Sequence, residues 1–262
     1  MTETDVFKHS TPHLYDRCMG PLLFEPYAGH VADRVALLGP SRILETAAGT
    51  GIVTRAVAEA LPAAQIVATD INPAVVEFAA QHLRSERVLF ECADAQELPY
   101  ESESFDLVLC LFGLMFFPDK RRANAEARRV LRSGGTYVVV TFDRLDRNPI
   151  PKAAGEAVAT LFPEDPRYME RGPFSYADAT AVESDLRAAS FEDVVVESIE
   201  LSSRVTAHEA AQGIVLGSPF RAEIERLDAS ALERATAAVR EALLPWDGKD
   251  APMGAHVATA TR

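Results

Sequence analysis

The sequence predicts an α/β protein built on a doubly wound, mostly parallel sheet. From residue 41 onward, short apolar runs alternate with helix-like segments. Such alternation is typical of βαβ units, which produce parallel sheets. The run 104–112 is almost continuously apolar, as expected of a strand that helices cover on both faces. These two observations carry the fold-class prediction.

The elements follow in a regular order. Strands are predicted at 42–47, 64–70, 87–94, 104–112, 136–142 and 192–201, with a short final strand within 254–262. Helices are predicted at 51–61, 73–84, 119–132, 150–161 and 177–189, and in most of 206–243 with a break at "LGSPF". Pro73 suits a first helical turn, and "SGG" closes the helix that ends at 132. Residues 12–38 are predicted to be helical in two pieces, broken around Gly20 and Pro21.

Charge and cysteine content narrow the function. The 262 residues carry a formal net charge of −13, which argues against nucleic acid as a partner. The three cysteines form no CxxC pair, so we expect a reducing, cytoplasmic setting and no metal site. The polar start of the chain does not resemble a signal peptide, and no apolar stretch is long enough to span a bilayer.

Acidic and small residues follow successive strands of the predicted sheet. Glu45, Thr46 and Ala47 end the first strand and lead into a loop with Gly49 and Gly51, whereas Asp70 and Asp94 end the next two strands. Ligands of open parallel sheets bind beyond the carboxyl ends of the strands. A carboxylate such as Asp70 can accept both hydroxyl hydrogens of a ribose, and one such as Asp94 can accept from an adenine amino group. The pattern therefore predicts a nucleoside site.

The loop "ETAAGTG" argues against a phosphate ligand. It lacks the third glycine of a dinucleotide loop and has no Lys or Arg. The leading Glu45 would repel a phosphate but suits an amino or sulfonium group.

At this point the sequence resembles the class I S-adenosylmethionine-dependent methyltransferases, near the ubiquinone/menaquinone-biosynthesis branch. The resemblance lies in "ILETAAGTG" (43–51), "IVATDIN" (66–72), "ECADAQELPYESESFDLVLCLFGLMFFPDK" (91–120) and "EARRVLRSGGTYVVVTF" (126–142). Ala47 stands where that family usually has the first glycine of the loop. The resemblance covers 41–143 firmly and continues weakly to the C-terminus.

The resemblance implies a cofactor, S-adenosylmethionine, and a role for each matching residue. Glu45, Ala47 and Gly49 would line the methionine end, and Gly51 would let the helix start near it. Thr46 would belong to the same set of cofactor-binding residues. Asp70 would hold the ribose with Ile71 against the adenine, Asp94 and Ala95 would hold the adenine edge, and Leu111 would lie near the sulfonium. Tyr15 would close over the cofactor.

The resemblance also implies a seven-stranded Rossmann-like sheet whose last strand is antiparallel and lies between strands five and six. The whole chain, 1–262, would be one methyltransferase domain with 41–143 as the cofactor-binding core. Residues 1–40 would be an N-terminal helical cover, and 144–190 and 202–252 substrate-cover insertions. We expect a small, apolar or aromatic acceptor methylated at carbon, oxygen or nitrogen. A homodimer is compatible with scattered apolar residues in the cover.

No catalytic base stands out, and in-line methyl transfer does not strictly require one. A phenol, an enol or an acidic carbon would benefit from a base. Candidates are His9, His13, Tyr15, Tyr27, His30 and His208, of which Tyr15 and His208 are retained as weak catalytic candidates. Phe112, Met115, Phe116 and Phe117 belong either to the core or to a substrate pocket.

Two alternatives remain open. A nicotinamide-dependent oxidoreductase would use the same sheet, but we find neither the third loop glycine nor a Tyr-x-x-x-Lys proton donor. A non-catalytic S-adenosylmethionine-binding protein would share the whole cofactor pattern.

Overall fold

A computed structural model describes residues 12–162, 168–228 and 230–262. Within this part of the chain, no helix combines the length and the apolar character needed to cross a bilayer.

The centre of the fold is a seven-stranded sheet in the order β3-β2-β1-β4-β5-β7-β6. The strands are β1 (Arg42–Thr46), β2 (Gln65–Asp70), β3 (Val88–Cys92), β4 (Phe105–Leu111), β5 (Leu131–Phe142), β6 (Glu192–Arg204) and β7 (Asp250–Thr261). The first five strands pair in parallel, and β7 runs antiparallel to β5. The predicted sheet is confirmed, including the antiparallel last strand between strands five and six.

The helices occupy most of the predicted places. They are α1 (Pro12–Leu14), α2 (Glu25–Ala36), α3 (Ile52–Ala60), α4 (Pro73–His82), α5 (Lys120–Val130), α6 (Pro149–Leu161), α7 (Tyr168–Arg171), α8 (Ala179–Ala188), α9 (Ala207–Gln212), α10 (Phe220–Leu227) and α11 (Leu232–Leu243). Two π-helical segments (Tyr15–Phe24 and Gly213–Gly217) and three 3₁₀ turns (Leu114–Phe116, Leu145–Arg147 and Leu244–Trp246) complete the set in these residues.

The described residues divide into two compact units. The sheet unit contains 28–143, 176–199 and 255–262. Its central strands are apolar, and from Leu107 to Leu111 every residue of β4 is buried. The helix α4 begins as its sequence predicts, because the Asn72 side chain accepts a hydrogen bond from the Ala74 amide and Pro73 occupies the first turn.

The helical unit contains the described parts of 12–27, 144–175 and 200–254. The buried Tyr27 hydroxyl donates a hydrogen bond to the Met253 carbonyl at 2.6 Å. The rings of Tyr168 and Phe220 stack with their centroids 4.7 Å apart. Beside this pair lies a cavity of about 10 Å³, which is room for one water molecule.

The break predicted around Gly20 and Pro21 is wrong. The backbone stays helical there because it widens into a π-helix, in which the Glu25 amide donates to the Gly20 carbonyl five residues earlier. The wider turn retains Pro21, which has no N–H to donate, inside the helix.

The helix predicted at 119–132 ends earlier, at Val130, and "SGG" is part of β5. The reason is a long-range pairing. The Gly134 amide donates to the Arg262 carbonyl, and the Arg262 amide donates to the Gly135 carbonyl, both at 2.9 Å. The last strand is also longer than predicted and begins at Asp250, which forms an ion pair with Arg204 of β6 at 2.7 Å.

Candidate cofactor site

Four strand ends meet at one edge of the sheet unit. Thr46 pairs with Thr69, and Asp70 pairs with Cys92, so the loops after β1, β2 and β3 leave the sheet at the same level. In the pairing of β1 with β4, Glu45 lies opposite Leu109, which brings Leu111 to the level of Ala47. The edge is the carboxyl edge, where parallel sheets bind their ligands.

Glu45 is a buried carboxyl at the start of the loop. Only 2% of its surface is exposed, and its Oε2 accepts a hydrogen bond from the Thr54 hydroxyl at 2.7 Å. Burial raises the pKa of Glu45 to about 8, the Thr54 hydrogen bond opposes that rise, and the charge of Asp70 adds to it. A cation beside this carboxyl would therefore favour its ionised form.

The loop backbone is shaped to receive a ligand. Ala47, Gly49 and Gly51 all have positive φ, at +54°, +55° and +80°. A Cβ built on Gly49 would meet no atom of the described residues within 4 Å, so these residues leave the space beside it open. The Thr50 hydroxyl is buried in the same loop and has no hydrogen-bond partner among the residues that the structure describes.

Asp70 holds the loop as well as facing it. Its Oδ2 accepts from the Gly49 amide and its Oδ1 from the Asn72 amide, each at 2.9 Å. Burial raises the pKa of Asp70 above its ordinary value, and these two amide hydrogen bonds act in the opposite direction. Each oxygen of a carboxylate has a second lone pair, so both can still accept a hydroxyl hydrogen. The neighbouring Ile71 side chain is 47% exposed, which is unusual for a large apolar residue.

Asp94, Ala95 and Leu111 stand at the next strand ends. The Oδ1 of Asp94 accepts from the Gln96 amide at 2.8 Å, which orients the carboxylate. Ala95 is buried, and so is Leu111 at the end of β4. The hydroxyl of Thr46 donates to the Leu109 carbonyl at 3.3 Å and ties β1 to β4.

Tyr15 and His208 belong to the helical unit, whereas the strand-end residues described above belong to the sheet unit. The Tyr15 ring stacks on Phe24 at 5.4 Å, and His208 is exposed on α9. Their roles stay predictions. Of the other candidate bases, Tyr27 uses its hydroxyl on the Met253 carbonyl, and His9 lies outside the described residues.

The aromatic segment after β4 is divided between burial and partial exposure. Phe112 and Met115 are buried, and the Phe112 ring packs on Phe142 with centroids 4.5 Å apart. Phe116 and Phe117 are half-buried.

Sequence reasoning missed three residues near this edge. Thr54 is the partner of Glu45, and the only signal for it was a polar residue in an otherwise apolar helix start. Gly113 packs against Ala47. His256 of β7 is buried, with its Nδ1 2.9 Å from the Ser198 hydroxyl and its Nε2 3.3 Å from the Asp143 carboxylate.

Comparisons with known proteins identify relatives of this chain. A family model described as a methyltransferase domain matches residues 44–139. A demethylmenaquinone methyltransferase of Clavibacter sepedonicus is 33% identical over 174 residues, which are 61% of this chain and 69% of that protein. The chain belongs to the class I S-adenosylmethionine-dependent methyltransferases. It is an enzyme of that class, and S-adenosylmethionine is its cofactor.

Other relatives are matched over shorter stretches. The methyltransferase is 34% identical over 149 residues to the ubiquinone/menaquinone biosynthesis C-methyltransferase UbiE of Bordetella parapertussis, 55% of this chain and 58% of that one. A demethylmenaquinone methyltransferase of Deinococcus radiodurans is 38% identical over 105 residues, 39% of this chain and 44% of the relative. The chain thus spans less than two thirds of the length of these two relatives.

Among solved structures, the YcgJ protein of Bacillus subtilis has a TM-score of 0.59 at 19% identity, over 89% of this chain and 98% of that one. A phosphoethanolamine N-methyltransferase 2 of Haemonchus contortus, in complex with S-adenosyl-L-methionine, has a TM-score of 0.60 at 18% identity. That match covers all of this chain (100%) and 57% of the other. Both likenesses support the fold.

The strand-end residues of the methyltransferase fit its cofactor. The open space at Gly49 admits a ligand against the backbone, and the buried Glu45 carboxyl suits the ammonium of a methionine group. Asp70 retains acceptor capacity for ribose hydroxyls, and the exposed Ile71 offers an apolar face for a base.

Proposed function

We propose that the enzyme methylates a ring carbon of a small, electron-rich aromatic acceptor of the hydroquinone class. The observation that carries this proposal is the 33% identity to a demethylmenaquinone methyltransferase across 69% of its length. The C-methyltransferase named for ubiquinone and menaquinone biosynthesis supports the same accepting atom.

We also propose roles for the residues of the candidate cofactor site. When bound, S-adenosylmethionine supplies an electrophilic methyl carbon on a sulfonium. Glu45 binds the ammonium, Asp70 the ribose, and Asp94 the adenine amino group. Leu111 presents an apolar surface at the end of β4. A negatively charged side chain at this place would stabilise the sulfonium of the bound cofactor and so slow its reaction.

The segments 1–40, 144–190 and 202–252 are proposed to supply the residues that recognise the acceptor. The cavity beside Tyr168 does not serve this purpose, because about 10 Å³ is far too small for an aromatic ring. Tyr15 and His208 are the residues to test for removal of the acceptor hydroxyl proton, which would enrich the ring carbon in electrons.

The test is methyl transfer from cofactor carrying a ¹³C-labelled methyl group. Chemically reduced short-chain demethylmenaquinone is compared with a catechol and with a primary amine, and the products are analysed by mass spectrometry and ¹³C NMR. We expect a carbon-bound methyl on the reduced quinone. Asp70→Ala should remove most of the activity, because two charge-assisted hydrogen bonds to the ribose are lost.

Two outcomes would contradict the proposal. Label on oxygen or nitrogen, with the reduced quinone unchanged, would assign a different acceptor class. Binding of S-adenosylhomocysteine without methylation of any acceptor in the panel would favour a non-catalytic binding protein.

A further inference from the structure

Gly113 is a glycine because of its surroundings and not because of its backbone. It follows β4 and Phe112, and its φ of −105° and ψ of −42° are open to any residue. A Cβ at this position would lie 2.4 Å from the Cβ of Ala47 and 3.3 Å from the Sγ of Cys110. The first distance is shorter than non-bonded carbons tolerate, so the space is already occupied by the Ala47 methyl group.

Ala47 shows the converse arrangement. Its φ of +54° lies in the left-handed region, where a side chain is strained and glycine is favoured. The chain therefore keeps a methyl group where the backbone favours glycine, and a glycine where the backbone accepts a methyl group. The two residues are far apart in sequence but meet where the loops after β1 and β4 leave the sheet.

The contact completes the support of the cofactor loop. On the side of β2, the Ala48 amide donates to the Thr69 carbonyl and the Gly49 amide to the Asp70 carboxylate, both at 2.9 Å. On the side of β4, the Ala47 methyl packs directly on Gly113. The loop is thus hydrogen-bonded along one flank and held by close packing along the other.

We infer that Gly113 is a positioning residue for methyl transfer, which acts through the Ala47 methyl to set the place of the cofactor loop. The inference rests on the proposed assignment of the loop Glu45–Gly51 to the cofactor. A side chain at 113 would push Ala47 away. The backbone at Gly49, in the same loop, would move with it and leave the position that binds the methionine end.

The test moves the methyl group from one loop to the other. Gly113→Ala should raise the Kd for S-adenosylhomocysteine roughly tenfold or more, since a displacement of about 1 Å is enough to disrupt a positioned site. Ala47→Gly/Gly113→Ala should bring the Kd back to within about threefold of wild type, because the Ala47 Cβ is gone and the nearest remaining atom is the Cys110 Sγ at 3.3 Å. Gly29→Ala is the matched control, since a Cβ there meets no atom within 4 Å in the described part of the chain.

Calorimetric Kd values are compared with thermal midpoints of the same samples. A purely structural role for Gly113 would lower the midpoint of Gly113→Ala and leave the Kd of the folded protein unchanged, and that result would overturn the inference. So would a double variant that binds no better than Gly113→Ala. If Gly113→Ala does not fold, Ala47→Gly decides, because it removes the packing of the loop on Gly113 without a clash. A raised Kd at an unchanged thermal midpoint in this variant supports the inference, and an unchanged Kd contradicts it.

The design separates this inference from the proposals on which it rests. Wild type that fails to bind S-adenosylhomocysteine would contradict the cofactor assignment. Wild type that binds it but does not methylate the reduced quinone would contradict only the proposed acceptor. The comparison of Gly113→Ala with the double variant needs no acceptor at all.

Discussion

Glu45 is a carboxyl group in a place where a negative charge is costly. It is buried at the end of β1, and the Thr54 hydroxyl is its hydrogen-bond donor at 2.7 Å. A hydroxyl donor stabilises the ionised form less than a positive charge does. The buried position therefore makes sense as a site that is completed by a cationic ligand, which agrees with the proposed contact to the methionine ammonium.

The pH dependence of stability should report on this carboxyl. Burial raises the pKa of Glu45 to about 8, from 4.5 for an exposed glutamate. Between these pH values the folded protein holds a proton that the unfolded chain has lost. The contribution of Glu45 is therefore fully favourable below about pH 4.5 and is lost as the pH rises to about 8.

Glu45→Gln removes the titration and keeps a polar group that can accept from Thr54. We expect the free energy of unfolding of this variant, relative to wild type, to increase by roughly 2–4 kcal/mol between pH 5 and pH 8. Urea denaturation at pH 5, 6.5 and 8, without cofactor, measures it. Glu101→Gln, the same substitution at an exposed position, is the matched control. A constant difference for Glu45→Gln would show that Glu45 is not held protonated.

The loop between β1 and α3 contains two glycines with positive φ but different surroundings. At Gly51, the residue before α3, a Cβ would lie 3.2 Å from the Ala79 Cβ and 3.4 Å from the Phe90 ring. At Gly49 a Cβ would enter open space. Gly51 therefore lets the helix pack closely onto the sheet, whereas Gly49 leaves room for a ligand.

Alanine at the two positions should therefore separate stability from binding. Gly51→Ala should cost roughly 2–3 kcal/mol of stability, from backbone strain and crowding against α4 and β3. Gly49→Ala should cost only about 1 kcal/mol, from strain, but weaken S-adenosylhomocysteine binding by roughly tenfold. Thermal unfolding and calorimetry on both variants measure the two effects. The two glycines would not differ in role if both variants lost binding free energy and stability in the same ratio.

At the scale of elements, the sequence predicts the features that depend on residues close together in the chain. The apolar run of β4 and the Asn72–Pro73 start of α4 follow from propensity and pattern, and the structure contains both. The extension of β5 through "SGG" could not be predicted, because it depends on pairing with Arg262 at the far end of the chain. The π-helical turn at Pro21 replaces a break because hydrogen bonds spanning five residues retain the proline.

The candidate site shows the same limit. Glu45, Asp70 and Asp94 could be predicted because each lies within two residues of the end of a strand, and parallel strands bring such ends to one edge. The contact of Ala47 with Gly113 could not, since no local pattern indicates which glycine of a distant loop receives a methyl group. Residues that hold the site together are found by packing, and packing is not visible in sequence.

At the scale of the whole molecule, the acidic balance and the loop chemistry point away from phosphate ligands. The net charge is −13, and the loop 45–51 contains no basic residue. A dinucleotide would place two negative phosphates near the buried Glu45 carboxyl and the Asp70 carboxylate. S-adenosylmethionine instead carries a sulfonium and an ammonium beside a single carboxylate, so its net charge is positive and is attracted by an acidic site.

Ligand-dependent stability tests this selectivity on the intact chain. A ligand that binds only the folded protein adds about 2.7 kcal/mol to the free energy of unfolding at one hundred times its Kd. We expect the thermal midpoint to rise with the logarithm of S-adenosylhomocysteine concentration and to stay unchanged with NADH, because the loop that would cradle a pyrophosphate lacks its third glycine and begins with an acid. Asp70→Ala should reduce the response to S-adenosylhomocysteine, since its carboxylate both holds the Gly49 amide and is proposed to bind the ribose. A midpoint raised by NADH and insensitive to S-adenosylhomocysteine would mean that this strand-end site binds a nicotinamide dinucleotide.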